Sequence, residues 1–165
     1  MIIGLAHRAQ VGKDTVGEYL VKQYGFVRHA FADPLKEEVN AILSVFGRRY
    51  REEDKEILRP LLIAWGEYRR HQNPGYWSNF LMGDIKWDLA RETIQAHHVV
   101  TDVRYPNEAD AIRKLGGIIV RINRDTGLDI PSEAIMDNYV ADYEVDNNGD
   151  VLALLHAIDL IVEGE

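Results

Sequence analysis

The chain contains no cysteine, which excludes disulfides, thiolate nucleophiles and cysteine-ligated zinc. It also lacks internal repeats, low-complexity tracts and any apolar run long enough to span a bilayer, and its first residues read as a strand rather than a signal peptide. Positive charge is in the minority. With 27 Asp and Glu against 19 Lys and Arg, the formal net charge is -8, which argues against a surface that coats nucleic acid. A local basic site is compatible with this, because the arginines cluster. What is present suits one enzyme-sized, cytoplasmic domain: 165 residues, 46% hydrophobic and 28% charged, enough to bury a core.

The most informative stretch follows the apolar run Ile2-Ile3-Gly4-Leu5-Ala6. It reads His-Arg-Ala-Gln-Val-Gly-Lys-Asp-Thr over residues 7–15, and a helix-compatible segment continues over 14–24. A buried strand, a tight loop ending Gly-Lys and a helix form a P-loop, which points to a nucleoside triphosphate. Gly12 lets the backbone approach phosphate, the first N–H groups of the helix form an anion nest, and Lys13 reaches the outer phosphates. Two positions depart from the common pattern. His7 replaces the first glycine, and Asp14 stands where a serine or threonine meets Mg²⁺; Asp14 or Thr15 would then supply the oxygen for that ion.

Strand and helix signals alternate along the rest. Strands are expected at 26–32, 98–102, 118–122 and 142–145, and helices at 34–46, 56–71, 76–95, 106–115 and 149–162. Residues 123–141 are long and polar, as a mobile loop would be. Unbroken apolar strands alternating with helices predict an α/β fold, a parallel sheet of about five strands with helices on both faces.

A second signal is the apolar strand ending Thr101-Asp102-Val103-Arg104. Asp102 is a candidate Mg²⁺-organising carboxylate, and Arg104 sits where parallel sheets bind ligands, at the carboxyl ends of the strands. A third is the set Arg59, Arg69, Arg70, Arg121 and Arg124, from which Arg69 and Arg124, with Arg104, are the better candidates for phosphate contact. No Ser-His-Asp arrangement is evident. His97 and His98 are adjacent, so in a strand they face opposite ways; His29 and His71 are isolated and read as structural or surface residues. Trp65, Trp77 and Trp87 read more readily as core than as base-stacking residues.

Several of these segments carry a family pattern: Gly-Lys-Asp-Thr at 12–15, Phe31-Ala32-Asp33-Pro34-Leu35-Lys36, residues 62–69, and above all Thr101-Asp102-Val103-Arg104-Tyr105-Pro106-Asn107-Glu108-Ala109. Gly116-Gly117, Arg121, Ser132-Glu133 and Asp146-Asn147 continue it. In these the chain resembles, over nearly its whole length, the deoxynucleoside monophosphate kinases of bacteriophage, a branch of the P-loop nucleotide kinases. The resemblance implies a three-layer P-loop sandwich and transfer of the γ-phosphoryl of ATP to a deoxynucleoside 5′-monophosphate. It implies that Val11, Gly12, Lys13, Asp14 and Thr15 hold ATP and Mg²⁺, with Asn147 near the donor adenine. Asp33, Lys36, Arg69 and Trp77 would serve the acceptor, within a helical region of about 34–95. Asp102 and Arg104 would flank the transfer site, and Arg124 would belong to a lid of about 124–141. The location would be cytoplasmic, in the host if the chain is phage-encoded, with a homodimer left open. Three other readings stand beside this one: a kinase of another phosphorylated acceptor such as a coenzyme or isoprenoid precursor, a non-catalytic ATP-binding module, and an ATPase acting on a protein.

Overall fold

The computed structural model describes residues 1–6, 8–90, 96–126 and 135–165. The expectations placed on His7, on the end of the 76–95 helix, on Ser132-Glu133 and on the centre of the polar loop at 127–134 lie outside those residues. The first apolar run becomes β1 (Ile2–Ala6), and all five of its residues are buried. It has no polar alternation because it runs in the middle of a five-stranded sheet, order β2-β3-β1-β4-β5. The other strands are β2 (Val27–His29), β3 (His98–Val103), β4 (Ile118–Asn123) and β5 (Tyr143–Asp146). Every pairing is parallel. Both faces of such a sheet must be covered, which is why its strands read as continuous hydrophobic runs.

Among the described residues six α-helices do the covering: α1 (Lys13–Tyr24), α2 (Ala32–Val45), α3 (Lys55–Gln72), α4 (Tyr76–Leu89), α5 (Pro106–Arg113) and α6 (Val151–Gly164). Along β1 the side chains alternate between two cores. Ile3 and Leu5 pack with Val16 and Leu20 of α1 and Leu154 and Ile158 of α6. Ile2 and Ala6 face the other way, toward Leu81 and Ile85 of α4 and Ile112 of α5. Gly25 ends α1 in the left-handed conformation, its N–H donating to the Leu20 and Val21 carbonyls. Asp150 starts α6 by accepting from the Ala153 N–H at 2.8 Å.

One expected strand is shorter than its apolar pattern. The 26–32 segment pairs only through Val27, Arg28 and His29, because the Phe31 and Ala32 amides donate to the Asp102 carboxylate at 2.6 and 2.9 Å. Those two N–H groups are lost to a strand ladder, and the chain turns into α2 two residues before Pro34, which sits in the helix's first turn.

The helix α1 lies tightly over β3. A Cβ at Gly17 would come within 2.6 Å of Thr101 Cγ2, and Thr101 is a buried, β-branched residue with little room to give. Gly17→Ala should therefore lower stability by about 1–3 kcal/mol without changing the helical content. Denaturant midpoints followed by circular dichroism test this; an unchanged midpoint would show that α1 can lift from the sheet freely.

Candidate functional site

A parallel sheet delivers the segments after its strands to one edge. Here that edge carries residues 8–12 after β1, the start of α2 after β2, Arg104 after β3, Arg124 after β4 and Asn147 after β5. The loop after β1 is the most sharply shaped. Gln10 and Gly12 both lie in the left-handed region, with φ of 61° and 105°. At Gly12 a side chain would be both conformationally strained and blocked, since its Cβ would meet Asn147 Nδ2 at 2.7 Å. Helix α1 begins at once at Lys13, with no side-chain cap on its first amides. Those N–H groups and the positive end of the helix form a cradle suited to phosphate oxygens. The Lys13 ammonium donates to the Arg8 carbonyl oxygen across the loop, and Asp14 and Thr15 are exposed on the first turn.

Asn147, expected near a base, lies against Val11 and Gly12 of this loop. It is buried, and its Nδ2 donates to the Val11 carbonyl oxygen at 2.8 Å, so the segment after β5 braces the loop from behind. Val11 itself is fully buried; what it offers the site is backbone. Arg8 pairs with Asp137 at 2.8 Å, fastening the same loop to the segment that follows residue 134.

Asp102 stands at the end of β3 with its carboxylate accepting the Phe31 and Ala32 amides. Burial raises its pKa despite those two donors. Both oxygens are therefore engaged in holding the start of α2 against β3. Arg104 is exposed two residues further on, and Arg124 is exposed after β4. Between them in sequence, Glu108 is buried and accepts from the Arg104 and Tyr105 amides at 2.9 and 3.2 Å. Desolvation pushes its pKa up to about 7, against the pull of those amides and of Arg70 at 3.9 Å.

The acceptor candidates separate into two groups. Arg69 lies in a frame built by α2, α3 and α4: its guanidinium sits 5.0 Å from the Trp65 ring and 4.8 Å from the Tyr76 ring. Its Nε donates to Glu38 at 2.9 Å. Glu38 also receives the Trp65 indole N–H at 2.6 Å and the Tyr76 hydroxyl. Burial works to raise the Glu38 pKa, but the Tyr76, Trp65 and Arg69 donors outweigh it and hold the group below its ordinary value. The remaining candidates have other partners. Lys36 pairs with Glu52 at 2.9 Å, Asp33 lies 3.3 Å from Arg28, and Trp77 is only 2% exposed with its indole N–H on the Gly66 carbonyl. Trp77 offers no open face to a ligand. Arg121 is likewise taken up, donating to the Met136 and Tyr139 carbonyls and pairing with Glu144, and Arg59 pairs with Glu56 on its own helix.

Glu38 and Glu108 were not singled out from the sequence. Glu108 carried a usable signal, a glutamate at the third helical position after Pro106 at the first. Glu38 carried none, since its three partners come from α3 and α4.

No family model matches the chain. The protein of Acanthamoeba polyphaga mimivirus named "Putative deoxynucleotide monophosphate kinase" is 30% identical over 143 residues, spanning 75% of this chain and 74% of its own. "Uncharacterized protein ORF76" of Ictalurid herpesvirus 1 (strain Auburn) is 32% identical over 160 residues, spanning 91% of this chain and 62% of its own. Among solved structures, shikimate kinase from Aquifex aeolicus superposes with a TM-score of 0.56 at 14% identity, covering 99% of this chain and 97% of the other. Dephospho-CoA kinase from Campylobacter jejuni does so with a TM-score of 0.53 at 16% identity, covering 99% and 98%. Sheet order, glycine-shaped loop and these superpositions define a P-loop kinase fold. Within that class, the chain belongs to the deoxynucleotide monophosphate kinase family.

The Glu108 environment makes a pH prediction. The folded protein holds this proton up to about pH 7, whereas a free glutamate releases it near 4.5. The resulting stabilisation is complete below 4.5 and is lost as pH rises through 7. Glu108→Gln should remove that dependence, gaining on the wild type by up to about 1.4 kcal/mol per pH unit across the window. Denaturant midpoints at about pH 5 and about pH 8 measure it; a wild type that gains on the variant toward high pH would contradict the assignment.

Proposed function

We propose that this P-loop kinase transfers the γ-phosphoryl group of ATP to a deoxynucleoside 5′-monophosphate, releasing ADP and the diphosphate. The observation that carries the reading is the loop at 8–12, where left-handed Gly12 and the uncapped start of α1 make a phosphate cradle beside Lys13. Family membership supports the acceptor class. An acceptor phosphate oxygen forms the new bond to the γ-phosphorus as the bond to the ADP oxygen breaks, and no strong base is needed because the nucleophile is already anionic. Catalysis then consists of alignment and of offsetting negative charge.

Lys13 and the first amides of α1 neutralise the donor's phosphates in this scheme. Asp14 and Thr15 place exposed oxygens on the first turn, a donor set that would hold Mg²⁺, and the ion would supply positive charge against the phosphates. Arg104 and Arg124, exposed at the ends of β3 and β4, supply positive charge from the far side of the loop. Arg69 receives the acceptor's phosphate, held in line by Glu38 and two aromatic rings. Asp33 and Lys36, in the first turn and a half of α2, border the acceptor region at 34–95, and the segment about 124–141 acts as the lid.

The test is product formation from Mg-ATP across deoxy- and ribonucleoside monophosphates, separated by chromatography. Diphosphate should appear with at least one deoxynucleotide, and Lys13→Ala should lower turnover at least about 100-fold while leaving the fold intact. ATP binding with no nucleotide phosphorylated would overturn the acceptor assignment. Arg69→Ala should raise KM for the acceptor about 10- to 100-fold and leave KM for ATP nearly unchanged. A loss falling on ATP instead would move Arg69 out of the acceptor's site.

A further inference from the structure

The histidines at 29 and 98, far apart in sequence, meet at the sheet edge. His29 ends β2 and His98 opens β3, and the register Val27↔His98, His29↔Val100 puts them diagonally on one face. His29 Nε2 lies 3.0 Å from His98 Nδ1. Asp88, near the end of α4, completes the group: one donor atom from each of the three side chains lies within 4.8 Å of the others. The cluster sits toward the amino-terminal half of β3, whereas the phosphate cradle sits at the carboxyl edge.

A structural histidine pair accounts poorly for this arrangement. His98 is wholly buried, and its Nε2 meets no hydrogen-bond partner among the described residues. Two neutral imidazoles in contact share a single proton. Whichever ring donates, His98 Nε2 is left as an unmatched donor or an unmatched acceptor, and an ion held by the Nδ1 that faces His29 would leave it so as well, so only an ion on Nε2 itself would relieve that cost. Valine or isoleucine fills the neighbouring strand positions, Val99 and Val100, with no such cost.

The spacing is near that of ligands. Two nitrogens each about 2.0–2.1 Å from one tetrahedral ion lie roughly 3.3 Å apart, a few tenths of an ångström from the observed 3.0 Å, which is also a hydrogen-bond distance. Two imidazole nitrogens and one carboxylate oxygen are a borderline donor set, matched to Zn²⁺ rather than to Mg²⁺ or Ca²⁺. Three protein ligands leave a position for water.

We propose that His29, Asp88 and His98 form a Zn²⁺ site that ties the edge strand β2 to β3 and to the end of α4. The site is separate from the phosphate cradle and stands independently of the acceptor assignment. Its consequence is mechanical. β2 has only three residues, and the chain leaving it runs straight into Phe31 and Ala32, the partners of Asp102.

The experiment uses the full chain stripped with a chelator, then titrated with Zn²⁺ or with Co²⁺ as a spectroscopic substitute. Expected are one ion per chain, a Co²⁺ d–d spectrum typical of low coordination number, and a rise in Tm on Zn²⁺ addition. His29→Gln and Asp88→Asn, at partly exposed positions, should each weaken Zn²⁺ binding at least about tenfold, while Asp14→Asn should leave it unchanged. His98→Ala opens a buried site and serves only as a supporting variant. Absence of stoichiometric binding at micromolar Zn²⁺ overturns the proposal. So does undiminished binding in His29→Gln and Asp88→Asn, or binding lost in Asp14→Asn, which would put the ion at the phosphate loop.

Discussion

Five strands running the same way impose two conditions, and the other features of the structure are answers to them. Both sheet faces must be buried, so helices have to return on either side between strands. The same geometry gathers five separate loops at the carboxyl edge, where their polar groups have no strand partners. The chain deals with those groups by pairing loops with one another. Asp102 takes the amides at the start of α2, Glu108 takes those leaving β3, and Asn147 takes the Val11 carbonyl. The edge that binds phosphate is thus held by side chains that do not themselves need to touch it.

The same logic sorts the arginines. Positive charge is scarce in a chain of net charge -8, and much of what exists is spent on structure. Arg8, Arg113 and Arg121 fasten the 135–142 segment through Asp137, Asp142 and the carbonyls of Met136, Tyr139 and Val140. Arg69 is held too, but in a different way, with two aromatic rings within 5.0 Å and one carboxylate alongside. A guanidinium suits that frame because it is flat and binds in a fork, whereas an ammonium would lose both the stacking and the bidentate reach.

The sheet and the phosphate loop were legible in the sequence because each is encoded locally. Ile2 to Ala6 and His98 to Val103 are near-continuous apolar runs, and Gly12-Lys13 follows the first directly. What was illegible depends on partners distant in sequence. β2 stops at His29 because of a carboxylate 71 residues away from Phe31, which no pattern in 26–32 announces. His29 read as isolated because its partner is 69 residues on. Arg121, one of the clustered arginines at a strand exit, is absorbed by its neighbours at 136, 139 and 144. Trp77, carried by resemblance to the acceptor's side, is instead packed between α3 and α4. Asp102, readable as a metal-facing acid, spends its oxygens on two amides.

The hydrogen bond from Asn147 to Val11 joins residues 136 apart, and β4 has to be in place between them. The loop is therefore synthesised well before the strand whose following residue braces it. Until β5 has docked, nothing holds the Val11 carbonyl or crowds Gly12, and the cradle has no fixed curvature. A chain still emerging from the ribosome carries the complete phosphate-binding motif without the ability to use it. Contacts this distant in sequence also slow folding.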